Sequence, residues 1–138
     1  MTVSDAELLD LARTAAGNAY APYSGFPVGA ALLLDDGRTV TGCNVENASY
    51  GLTVCAERTA AGRMIAEREE VDGDGCRPHI VAAAVVGLKA SPCHPCGACH
   101  QVLGEFSCER VIVEGPSGVP VSIDFRDLLP HAFGPDSL

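Results

Sequence analysis

Cys55 and Glu57 stand two residues apart, and about forty residues later Pro95-Cys96-Gly97-Ala98-Cys99 adds two thiols at a C-x-x-C spacing. Three thiolates can hold a zinc ion and leave its fourth position open to water. A carboxylate two residues from the first thiolate can move protons to and from that water. The plainer readings are buried thiols or a purely structural zinc site. Glu57 argues against both, because a structural site has no use for a carboxylate beside its metal and needs a fourth protein ligand.

Cys93 is the candidate for that fourth ligand, since 93, 96 and 99 form a C-x-x-C-x-x-C run. A bacterial iron–sulfur pattern would continue with cysteine at position 103, where Leu103 stands, and Cys108 could substitute only at an atypical spacing. Zinc therefore ranks above a cluster. Cys43, Cys76 and Cys108 read as ordinary thiols, with Cys43 buried on a strand. His79 and His131 have no ligand-like spacing.

Periodicity predicts the elements that must position these groups. A first helix is expected over 5–19, with Ser4 and Glu7 as a capping box and Leu8, Leu11, Ala12, Ala15 and Ala19 on its buried stripe. Strands over 28–34 and 39–44 flank the Asp36-Gly37 turn as a hairpin. A second helix is expected over 55–69 and a solvated connection over 67–75. The apolar run 80–86 suits a strand buried on both faces. A helix over 97–106, strands over 110–113 and 119–123, and a short helix over 125–129 complete the chain. Cys55 and Cys96-x-x-Cys99 thus fall at helix starts, where partial positive charge favours the thiolate. Pro95 suits the start of its helix because its missing N–H needs no partner there. The order α-β-β-α-β-α-β-β-α implies helices on both faces of a mixed sheet.

A chain of 138 residues fits one domain, taken here as 1–138, and 47 % apolar against 20 % charged residues argues for a compact core. The formal charge of -9, without a basic cluster, disfavours a nucleic acid polymer as partner. The longest apolar stretch, 80–88, is far too short for a membrane span. The N-terminal residues lack a basic-then-apolar signal layout, so a cytoplasmic location is expected. An odd count of seven cysteines without such a signal speaks for metal binding or reduced thiols over disulfides.

Several longer motifs resemble those of the small cytidine deaminases. The segment 20–32, YAPYSGFPVGAAL, is similar to their N-terminal motif, and 44–58, NVENASYGLTVCAER, to their central one. Pro95-Cys96-Gly97-Ala98-Cys99, Gln101-Val102-Leu103, Leu128-Leu129-Pro130 and Phe133 follow in order. The resemblance implies a three-layer α/β/α sandwich around a five-stranded mixed sheet, a homotetramer, and active sites at subunit interfaces. It also implies pyrimidine salvage, with cytidine and deoxycytidine converted to uridine and deoxyuridine plus ammonia.

For individual residues, the resemblance implies one Zn²⁺ per subunit on Cys55, Cys96 and Cys99. Glu57 then passes a proton from water to N3 of the pyrimidine and another to the departing ammonia. Asn44 and Glu46 would bond the ribose hydroxyls, mainly at the 3′ position, and Phe26 would pack against the base. Phe133 would reach in from another subunit, while Tyr50 and Ala56 complete the substrate-binding set. Without the surrounding match, Asn44 and Glu46 would read as a loop satisfying its own backbone.

Arg58 would offset the excess negative charge of three thiolates around a divalent ion. The family usually has arginine where this chain has His100, and serine where it has His94. A protonated His100 could stand in for the arginine; a neutral one in a helix contact is the equal alternative. Two other functions remain open at this stage. One is deamination of a modified cytosine nucleoside such as blasticidin S; the other is a non-enzymatic zinc or iron–sulfur module.

Overall fold

The computed structural model describes residues 2–69 and 77–138. Most of the expected 67–75 connection, and Cys76, lie outside the described residues. Helix α1, Asp5–Ala16, starts where Ser4 Oγ accepts the Glu7 N–H at 3.1 Å. Glu7 answers Ser4 through the serine hydroxyl, at 3.0 Å, so the contact is between side chains and the box is half formed. The helix ends three residues earlier than expected, at Gly17, whose N–H turns back to Thr14 O at 3.1 Å. Its buried face is Leu8, Leu9, Ala12, Ala15 and Ala16. Leu9 replaces Leu11 there because the helix lies across the sheet with the Leu9–Ala12–Ala16 row inward.

Strands β1, Val28–Leu34, and β2, Thr39–Cys43, form the expected antiparallel hairpin, with Gly37 at φ +89°. Helix α2, Ala56–Ala66, follows a long loop, and β3, Ile80–Gly87, pairs antiparallel with β1. Helix α3, Gly97–Glu105, crosses from β3 to the parallel strand β4, Arg110–Glu114. Strand β5, Pro120–Asp124, pairs antiparallel with β4, and the short helix α4, Phe125–Leu128, leaves it. The sheet order is β2-β1-β3-β4-β5.

Residue alternation along each strand builds two cores, one on each face. Ala31, Leu33, Ala82, Ala84, Val86 and Ile112 meet Leu8, Leu9 and Ala12 of α1. Ala30, Leu32, Leu34, Ala83, Val111 and Val113 meet Ala56, Ala60 and Met64 of α2, Leu103 of α3 and Phe125. The architecture is therefore the α/β/α sandwich with a five-stranded mixed sheet. Among the described residues no helix is long and apolar enough to cross a membrane.

Strands β2 and β3 are each antiparallel to β1, so they run the same way and end at one edge of the sheet. Helices α2 and α3 both begin beyond that edge, which brings their N-termini together. Gly42 lets α2 lie close on β2: a Cβ there would meet Ala60 N at 2.5 Å and Ala56 O at 2.7 Å. These are backbone atoms and cannot rotate aside. Gly42→Ala should therefore lower the unfolding free energy by about 1–3 kcal/mol. The check is the midpoint of urea unfolding at unchanged slope; an unshifted midpoint would show that α2 can slide.

Candidate metal centre and active site

Cys55 caps α2 and Cys96 caps α3, each with extended backbone and no capping bond from its side chain. Both sulfurs are therefore available, next to helix N-termini that favour negative charge. Cys99, one turn into α3, is fully buried and turns its sulfur toward the same point. The three sulfurs all lie within 4.8 Å of one another. Cys55 Sγ and Cys96 Sγ are 3.8 Å apart, and Cys96 Sγ and Cys99 Sγ 3.6 Å. Tetrahedral bonds of about 2.3 Å to zinc would separate two sulfurs by about 3.8 Å. The spacing fits a single ion and is too tight for a multi-iron cluster, which sets several atoms between its thiolates.

Cys93, the candidate fourth ligand of the closed-site alternative, does not belong to this group. Cys96 is exposed, which leaves the cluster open on one side. Next to it Glu57, in the first turn of α2, is only 4 % exposed. Burial pushes its carboxyl above the usual carboxylate range, and the nearby Cys55 charge adds to that. A raised carboxyl of this kind holds a proton at a pH where an exposed glutamate is already ionised, which suits it to accept one.

The Cys55 thiol is held down to about 5, first by its bond with Cys99 and then by Arg58 and Cys96, against the cost of burial. The same bond and burial push Cys99 up. Among sulfurs this close, one anion opposes the next, and a cation at their centre removes that conflict. Arg58 donates through Nη2 to Cys55 Sγ at 3.4 Å and to Thr53 O at 3.5 Å.

The loop residues divide into those that line a cavity and those that hold the loop. Asn44 is buried; its Nδ2 donates to Phe26 O at 3.0 Å and its Oδ1 accepts the Val28 N–H at 2.9 Å. Glu46 Oε1 accepts the N–H groups of Tyr23 and Ser24 at 2.9 and 3.1 Å. The alternative of a loop satisfying its own backbone is thus realised, although each side chain keeps bonding capacity. Glu46 also lines a cavity of about 230 Å³ with Tyr23, Ser24, Tyr50 and Thr53. The Tyr50 ring is tilted against Tyr23, with centroids 5.9 Å apart. The Phe26 ring lies over Gly87, where any Cβ would strike it.

Three further candidates are placed as follows. The Ala56 side chain packs into the core, so only its backbone is available to a ligand. His100 meets the Phe125 ring edge-on at 6.1 Å and makes no bond to the sulfurs. Burial pushes its pKa down, with His94 adding to that, and Nε2 is enclosed without a partner; both favour the neutral contact over a protonated stand-in. Phe133 is 61 % exposed and lines a separate groove with Phe125, Gly104 and His131. Cys108 is buried, its thiol pushed up to about 12, and Cys43 is half-buried. His79 is half-buried, with Nε2 2.7 Å from Glu109 Oε2. Sequence reasoning passed over Thr53, whose carbonyl anchors Arg58, and Ser24, whose Oγ accepts the Phe26 N–H at 3.0 Å. A serine two residues before its partner in a Pro-Tyr-Ser-Gly turn was the available signal for the latter.

The model of the cytidine and deoxycytidylate deaminase zinc-binding region matches residues 2–114, and the chain belongs to that family. A cytidine deaminase of Mycobacterium tuberculosis is 46 % identical over 127 residues, covering 92 % of this chain and 87 % of the relative. A cytidine deaminase of Halalkalibacterium halodurans is 46 % identical over 117 residues, covering 83 % of each. The crystal structure of cytidine deaminase from Burkholderia pseudomallei matches with a TM-score of 0.75 at 44 % identity, over 91 % of this chain and 96 % of that one. The donor set, its spacing and the zinc-binding family together make zinc the cofactor. Purified protein should carry about one zinc per chain, lost in Cys96→Ala and kept in Cys93→Ser. Elemental analysis decides this, and zinc loss in Cys93→Ser would restore the closed site.

Proposed function

We propose that this chain hydrolyses cytidine and deoxycytidine to uridine and deoxyuridine, releasing ammonia. The observation that carries the reading is Glu57, buried beside three converging sulfurs that stay open on the Cys96 side. The family, with relatives named cytidine deaminase, supplies the substrate class.

Cys55, Cys96 and Cys99 are the proposed zinc ligands. Bound there, zinc supplies a Lewis acid that makes water acidic enough to act near neutral pH. The Glu57 carboxylate takes the proton of the attacking water and gives it to N3, which leaves C4 electron-poor. As the C4–N bond breaks, Glu57 takes the proton of the new C4 hydroxyl and passes it to the leaving amino group, so that the C4 carbonyl forms and ammonia departs. Arg58 offsets the charge left over when three thiolates surround a divalent ion. His100 supports the site by packing.

Glu46 and Asn44 are the proposed sugar contacts, mainly to the 3′ hydroxyl, and Phe26 the contact to the base, with Tyr50 and the Ala56 backbone at the rim. An ionised carboxylate at the sugar accepts hydroxyl donors and repels phosphate, which favours nucleosides over nucleotides. The chain is read as one domain, supported by the single sheet on which the described helices pack. A homotetramer is proposed, with Phe133 entering a neighbour's site. Tyr20, Tyr23, Val45, Tyr50 and Leu52 are large and exposed on the site side of the chain, which supports burial by another copy. A reducing cytoplasm keeps such a thiol cluster ligating, and salvage of pyrimidine nucleosides is the proposed setting.

The test is the ultraviolet absorbance lost as cytidine becomes uridine. Glu57→Gln should cost about 10²–10⁴-fold in kcat while zinc content holds. Full activity in that variant would sink the proton-transfer role. Light scattering should give four chain masses; a monomer with full activity would remove Phe133 from the site.

A further inference from the structure

Ser24 joins the two loop groups to which the proposed function gives the sugar and the base. Its hydroxyl donates to Glu46 Oε2 at 2.5 Å and accepts the Phe26 N–H at 3.0 Å. Glu46 Oε1 is already occupied by the N–H groups of Tyr23 and Ser24. An ionised carboxylate offers roughly four acceptor directions, so this turn fills three and leaves one. The Ser24 bond also holds the Glu46 carboxyl below its usual range, which keeps it an acceptor. Both residues line the cavity of about 230 Å³, so the remaining direction belongs to a donor placed there.

We propose that Ser24 is a positioning residue for the reaction: its hydroxyl fixes the Glu46 carboxylate toward the sugar and ties that setting to the Phe26 backbone. The proposal rests on reading Glu46 and Phe26 as substrate contacts. Without the hydroxyl, Glu46 is pinned by one oxygen only, and Oε2 can swing into solvent. The turn itself survives, since Asn44 holds Phe26 O and the Val28 N–H independently. The effect should therefore fall on sugar binding and leave folding alone.

The experiment compares zinc-loaded wild type, Ser24→Ala and Ser24→Thr on cytidine and 3′-deoxycytidine. In Ser24→Ala the KM for cytidine should rise about tenfold, with kcat within about twofold and the 3′-deoxy analogue little affected. Ser24→Thr, which keeps a hydroxyl, should restore the cytidine KM, and all three should melt together. An unchanged preference between the substrates in Ser24→Ala, an equal loss on both, or no rescue by threonine overturns the role of Ser24. If wild type itself does not prefer cytidine over the analogue, the sugar reading of Glu46 fails and the positioning role falls with it.

Discussion

Sulfurs 3.6 and 3.8 Å apart are the constraint that the rest of this structure serves. Negative charges at that separation oppose one another, so the arrangement is favourable only with positive charge close by. The fold provides it in layers. Two helix N-termini start at one sheet edge, Arg58 sits against Cys55, and a divalent ion matches the donor spacing. Close packing underlies all of this. Ala30, Ala56, Ala60 and Ala83 keep α2 near the sheet, and Gly42 lets the two backbones touch. Larger side chains at these places would lift α2 and carry Cys55 and Glu57 away from α3.

A second level of organisation is made of polar side chains that hold a loop, one of which, Glu46, also lines the cavity. Asn44 and Glu46 fasten the 23–28 segment through four backbone groups. Such groups cost free energy if left unpaired when a ligand excludes water. Bonding them within the loop removes that cost before any substrate arrives, and it fixes the directions left open. Preorganisation of this kind costs nothing further at the moment of binding.

Much of this was legible in the sequence because it is local. The 80–86 apolar run is β3, extended by one residue, and the Asp36-Gly37 turn is the hairpin. Cys55 and Cys96 fall at helix starts as expected, as caps outside the first turn. What was not legible depends on partners far along the chain. The Asn44 amide meets residues sixteen and eighteen positions away. The direction of His100 is set by Phe125, which arrives after two more strands. The inward row of α1 turned on how the helix crosses the sheet: Leu9 and Leu11 flank the shared Leu8–Ala12–Ala15 stripe on opposite sides, and periodicity does not choose between them.

Arg58 shows how strongly the sulfur charge governs its neighbours. Its Nε is enclosed with no hydrogen-bond partner, a condition that ordinarily costs about 1–3 kcal/mol for a polar group. A guanidinium on a helix of mostly small residues could turn outward and hydrate that nitrogen. It stays, with Nη2 between Cys55 Sγ and Thr53 O. The cost is offset because Nη2 bonds the Cys55 sulfur, and a cation beside a thiolate gains more than one hydrated N–H. Three thiolates, one divalent ion and one guanidinium sum to zero charge. Neutrality at that point lets the ion keep its pull on electrons for a ligand, where an uncompensated third thiolate would have weakened it.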